Sequence, residues 1–164
     1  MKNSLLTVVI SILIFTNCFA QEYPKTRYLN VQSDKSIRMN MSREFCQSCS
    51  ESVFILDGDE SKGYIELNFS GINIFGQAQK IELILNVPDV KWAESANGVS
   101  VFLNNEKIGN LNNVRRNSYF LVNLNVSVLS ENNDVKLILK ANGNDGLYLF
   151  SKKSGFGAVL KLQY

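Results

Sequence analysis

Residues 80–87 read Lys80-Ile81-Glu82-Leu83-Ile84-Leu85-Asn86-Val87. Ile81, Leu83, Leu85 and Val87 occupy alternate positions, and a period of two places them on one face of an extended strand. The octet reads as a β-strand with one buried face. Upstream, Gly63 to Phe69 (GYIELNF) repeats the pattern with Ile65, Leu67 and Phe69. Thr26 to Val31 and Ser36 to Ser42 alternate as well, the latter through Ile37, Met39 and Met41. Val53 to Leu56 is a short apolar run.

Downstream, Val99 to Leu103, Val135 to Lys140, Leu147 to Phe150 and Ala158 to Tyr164 continue the series. Tyr119 to Val128 (YFLVNLNVSV) reads as one long or bent strand. Turn residues lie between these runs: Asp57-Gly58, Ala96-Asn97-Gly98, residues 131–134 (ENND) and residues 142–146 (NGNDG), with another break at residues 151–157. Only Trp92-Ala93-Glu94-Ser95 suggests a turn of helix. Roughly ten short strands with turns between them predict an all-β fold, an antiparallel sandwich or barrel. Two sheets with apolar inner faces, at about 25 cal/mol per Å² of apolar surface buried, hold such a domain together without metals or several disulfides.

The N-terminus carries a different signal. Lys2 precedes an apolar run from Leu5 to Phe15, then Cys18-Phe19-Ala20 and Gln21-Glu22. A short basic region, a short apolar core and a small-residue cleavage site predict a signal peptide over residues 1–20. Lipidation at Cys18 is the alternative, with Phe15, Thr16 and Asn17 a poor lipobox. On the first reading the chain is secreted: to the cell surface, the medium or the periplasm. Residues 21–25 form a short lead, and 26–164 a single β domain of a size that suits one core. No second apolar stretch of that length occurs, so the mature chain is not expected to insert in a membrane.

Composition narrows the chemistry. The chain has no histidine. That removes Ser-His-Asp and Cys-His hydrolysis and histidine-ligated zinc, and takes away the common base near neutral pH. Net charge is +2, falling to +1 without Lys2, which gives no nucleic-acid footprint. Cys46 and Cys49 form a C-x-x-C pair. A redox motif needs a following helix and a zinc site two more ligands, so a small disulfide loop in an oxidising space is the plainest reading. Asparagine fills 20 positions, many in turns. Base composition of the gene explains most of them; amides for hydroxyl-rich ligands are the functional reading.

Three segments, Lys62 to Ile72, Ala78 to Val87 and the tail through Val135–Leu139, Tyr148–Lys153 and Ala158–Tyr164, resemble in order the DNRLRE-type jelly-roll domain of bacterial polysaccharide-active proteins. The resemblance spans most of residues 27–164. It departs at Trp92, where the family often carries two Trp segments, at Phe156-Gly157-Ala158, where the family has a proline, and at Ser151-Lys152-Lys153, where many members have Ser-Arg-Glu. It implies a non-catalytic jelly-roll sandwich, and for this chain a stand-alone secreted carbohydrate-binding module.

Sugar binding needs exposed aromatics for pyranose faces, with polar groups beside them. Trp92, Tyr119, Tyr148 and Phe156 are the candidates. Arg115, Arg116, Lys152 and Lys153 are placed to pair with an anionic glycan, or form a solvated face. No cofactor is expected. Asp57, Asp59 and Asp145 are weak candidates for a structural calcium, and each also suits a turn. A structural or adhesion subunit that binds a surface protein is the second reading. A small lyase using Tyr and Arg is the catalytic alternative.

Overall fold

The computed structural model describes residues 24–40, 43–46, 52–56, 63–71, 78–90, 93–129 and 133–164. Among these, strands dominate: β1 (Thr26–Asn30), β2 (Ser33–Asn40), β3 (Arg43–Cys46), β4 (Val53–Leu56), β5 (Gly63–Ser70), β6 (Lys80–Val87), β7 (Val99–Leu103), β8 (Glu106–Leu111), β9 (Ser118–Leu124), β10 (Asp134–Ala141), β11 (Leu147–Phe150) and β12 (Val159–Gln163). One four-residue helical turn, α1 (Val126–Leu129), and a 3₁₀ turn at Lys152–Ser154 complete the elements.

The pairings nest. β7 pairs β8, β6 pairs β9, β5 pairs β10, β4 pairs β11 and β1 pairs β12, all antiparallel. The chain is thus one long hairpin whose tip is Asn104-Asn105. Both residues take left-handed φ, 49° and 68°, as the tight two-residue turn between twisted strands requires. The hairpin then rolls on itself. β6 meets β12 and β7 meets β10, which gives a four-stranded sheet β1-β12-β6-β9 and a six-stranded sheet β3-β2-β5-β10-β7-β8. A small β11-β4 ribbon stands beside them. Leaving out β2 and β3, which extend one sheet, this is jelly-roll order. The chain changes sheets at a single peptide: Val31 N–H donates to Ala158 O, and Gln32 N–H donates to Asn68 O.

The core lies between the two large sheets. Ile81, Leu83, Leu85 and Val87 of β6 face Ile65, Leu67 and Phe69 of β5 and Val135, Leu137 and Leu139 of β10, all buried in one cluster. These are the alternating residues of the sequence. The ribbon adds Phe54, Leu56, Leu147 and Leu149.

Two sequence expectations are corrected. The run from Tyr119 to Val128 is not one strand, because β9 ends at Leu124. Asn125 Oδ1 accepts from the Ser127 N–H at 3.2 Å and its hydroxyl at 2.7 Å, which starts α1. Ala93 to Ser95 is not helical: Ala93 N–H reaches Val90 O and Ser95 bridges to Val114. Trp92 lies outside the described residues. Strands β3 and β8 stand where the sequence pattern predicts none.

Among the described side chains, each of the two large sheets carries one buried outward glutamate held by two lysines. On the four-stranded sheet, Glu82 has Lys80 Nζ at 2.7 Å and Lys161 Nζ at 3.1 Å, the second an ion pair without good hydrogen-bond alignment. On the other, Glu66 has Lys35 Nζ at 3.3 Å and Lys136 Nζ at 3.1 Å. The Lys80 hydrogen bond pulls the Glu82 carboxyl down; burial opposes it and Lys161 adds to it, leaving it below its usual 4.5. A lowered carboxyl contributes stability above its unfolded pKa and loses it as pH falls through the folded one. Glu82→Gln is expected to cost about 2 kcal/mol near pH 7, with the gap to wild type closing well below pH 4.5. Denaturant melts across that pH range check this; a gap that stays constant refutes the role of charge.

Candidate functional site

Register and burial together define the outer face of the four-stranded sheet. Side chains alternate, so the positions between the buried ones point outward. One outward row runs Tyr28–Lys161–Glu82–Asn123 across β1, β12, β6 and β9. The next runs Asn30–Val159–Ile84–Leu121, and beyond it Asn86 stands opposite Tyr119.

This face collects exposed apolar surface. Among the described residues five large hydrophobic side chains are exposed. Tyr119 (70%), Tyr28 (59%) and Leu121 (42%) lie on this face, and Phe156 (63%) overhangs its end. The fifth, Val90, follows β6. Tyr28 and Tyr119 are separated by three inter-strand steps, roughly 14 Å, and by four residues along the strand, roughly 13 Å.

Phe156 is fixed by its own loop. Gly155, at φ 81°, ends the 3₁₀ turn with its N–H on Lys152 O. Gly157 packs so tightly that a Cβ there would sit 2.7 Å from Lys152 Cα. Asn86 Nδ2 donates to Phe156 O at 2.9 Å, and the Phe156 ring packs on Phe150 with centroids 5.5 Å apart. Beside this loop lies a groove of about 320 Å³, walled by Phe156, Asn30, Asn86, Lys152 and Val159. Two asparagines and one aromatic ring thus wall the groove.

The other candidates fall elsewhere. Tyr148 is partly buried, packed on the core opposite Leu147 and Leu149, and offers no stacking face on this surface. Lys152 anchors the loop: its N–H donates to Asp34 Oδ2 and its Nζ to Gln32 O. Burial pushes the Asp34 carboxyl up, against the opposing pull of that N–H and of the ammonium. Lys153 is exposed beside it. Arg116 Nε lies 3.8 Å from Asp89 Oδ1, and Arg115 is exposed; both precede Tyr119 in the loop that enters β9. The basic residues therefore flank the face without forming one patch.

Asp145 clamps a turn. Oδ2 accepts from the N–H groups of Ala96 (2.6 Å) and Asn97 (3.2 Å), and Oδ1 accepts from Asn97 Nδ2 (2.8 Å). Burial raises this carboxyl, but the Asn97, Ser95 and Ala96 contacts outweigh it and hold it below the usual range. Asp57 and Asp59 lie outside the described residues. So does Cys49; Cys46 ends β3, its backbone paired with Ile37. Among the described residues no three carboxylate or cysteine side chains gather around one point, and no helix is long and apolar enough to cross a membrane.

Tyr28 was not singled out in the sequence. Its neighbours Arg27 and Leu29 gave it no mark, and only the register with Lys161 places it on the aromatic face. No family model matches this sequence, and no curated protein matches it.

Proposed function

We propose that this protein is a non-catalytic carbohydrate-binding module, exported by its N-terminal apolar segment, that lays a polysaccharide across the outer face of its four-stranded sheet. One observation carries the reading: Tyr28 and Tyr119 stand exposed on one sheet face and Phe156 overhangs its end, with Asn30, Asn86 and Asn123 on the same face. An aromatic ring covers the C–H face of a pyranose, and amides beside it exchange hydrogen bonds with the hydroxyls. The platform is long enough for several linked sugars. The strand pattern shared with DNRLRE-type domains supports the same reading, as does a chain without histidine.

The test is native electrophoresis through gels containing neutral glucans, galactans or polyuronates. Slowed migration in at least one of them, relative to an inert marker, is the expected result. Unchanged mobility in all, with recovery of a stoichiometric partner protein on a matrix bearing the chain, would replace this reading with that of an adhesion or scaffold subunit docking on Leu121, Ile84 and Val159.

A further inference from the structure

The opposite sheet holds a second concavity of different chemistry. At the β7–β8 corner of the six-stranded sheet lies an open depression of about 630 Å³, lined by Asn97, Asn110, Asn112, Asn113, Asn142 and Lys107. The chain brings these residues from three separate segments. Ser100 stands opposite Asn110 in the β7–β8 register, and its hydroxyl lies within hydrogen-bond reach of both Asn110 Oδ1 (3.0 Å) and Asn142 Oδ1. Asn142 Nδ2 donates to Asn97 O and to Asn110 Oδ1, both at 3.0 Å. Asn110 Nδ2 donates to Asn112 Oδ1 at 2.8 Å. Asp145 fixes the rim at Ala96 and Asn97, and Asn113 N–H closes it on Ala96 O at 3.2 Å.

These bonds fix the amides in place and leave a remainder. The side-chain N–H groups of Asn112, the side-chain amide of Asn113, Oδ1 of Asn97 and the Lys107 ammonium have no partner among the described residues. Among these free groups donors outnumber acceptors and one is charged, while the rim carboxylate, Asp145, is taken up by Ala96 and Asn97. A rigid ring of donors with one cation suits a ligand rich in oxygen acceptors and bearing a negative charge.

We propose that this depression is a second glycan site, which takes the anionic residue of an acidic sugar chain. The site itself stands on the Lys107 and asparagine geometry. Its consequence rests on the reading of the aromatic face: the two surfaces belong to the outer faces of opposed sheets, so one domain bridges two glycan chains instead of gripping one.

The experiment is an NMR titration of the ¹⁵N-labelled full chain with galacturonate trisaccharide, a sulfated galactose trisaccharide and a neutral galactose trisaccharide. Galacturonate, sulfate ester or both are expected to shift the side-chain amide signals of Asn110 and Asn112, and the neutral sugar to bind at least tenfold more weakly. Which anion binds identifies the source of the charge. Lys107→Ala combined with Asn112→Ala, both exposed, should weaken that binding at least tenfold with an unchanged melting curve. Tyr119→Ala combined with Phe156→Ala should leave it intact. Amide signals that stay still with all three sugars overturn the proposal. So does equal binding of the neutral and charged sugars. Shifts confined to the aromatic face overturn it as well, and leave the first site standing. Binding here without any retention by the aromatic face removes the bridging role and the first reading instead.

Discussion

Gly98→Ala is expected to lower the melting temperature by roughly 10 °C, the result of about 3 kcal/mol or more of lost stability. Gly98 has φ +72°, where an L side chain already costs about 1–2 kcal/mol. A Cβ there would also lie 1.9 Å from Leu111 O, 2.7 Å from Leu111 C and 2.9 Å from Asn112 Cα. All three are backbone atoms at the end of β8, so relief requires moving a strand. Gly98 is also tied on both sides: its N–H donates to Ser95 Oγ at 2.8 Å and its carbonyl accepts from Asn142 N–H at 3.0 Å. Circular-dichroism melts of the full chain check the effect. A drop below about 3 °C would mean that the corner is soft and that β8 shifts without penalty.

Elsewhere the same corner shows what the sequence carried and what it did not. Strands β5, β6 and β10 were legible because they are central. Their neighbours on both sides keep them straight, and the core demands an apolar residue at every second position, as at Ile65, Leu67 and Phe69. Strand β8 was hidden because it is an edge, with Ile108 its only fully buried side chain. Gly109 breaks its pattern for a packing reason: a Cβ there would lie 2.9 Å from Leu124 Cδ2 and Val122 Cγ1 of β9, so glycine lets the two sheets close at this edge. The end of β9 was misread because apolar alternation continues to Val128 while a local cap at Asn125 turns the chain.

The candidate site divides in the same way. Tyr119 and Phe156 stood out as aromatic residues near turns, but alternation alone gives two faces and does not say which is wet. The register of β6 with β9 decides it, by placing Val122 and Leu124 inside and Tyr119 and Leu121 outside. Tyr148 fails on the same ground, since the ribbon of β4 and β11 lays it against the core. Abundance of asparagine was plain in the composition. That Asn97, Asn110 and Asn142 meet was not, because their meeting depends on β10 lying next to β7.

Tyr119→Ala combined with Phe156→Ala is expected to weaken polysaccharide binding by about a hundredfold while leaving the fold intact. Exposed aromatic anchors at a binding surface cost about 2 kcal/mol each when truncated, or roughly thirtyfold, and two on one ligand fall somewhat short of the product. The fold is spared because both rings are mostly in water, 70% and 63% exposed, so little apolar area is lost from the core. Phe156 keeps its loop in place through backbone, not ring: Asn86 bonds its carbonyl, and Gly155 and Lys152 set the turn behind it. Calorimetric titration with the polysaccharide that retards the wild type measures the loss, and the melting curve controls for damage. Lys152→Ala discriminates further. Its ammonium already serves Gln32 O, so its removal should lower stability more than affinity. If instead Lys152→Ala abolishes binding and the aromatic pair does not, the glycan is held by charge, and the outer face of the four-stranded sheet is not the platform.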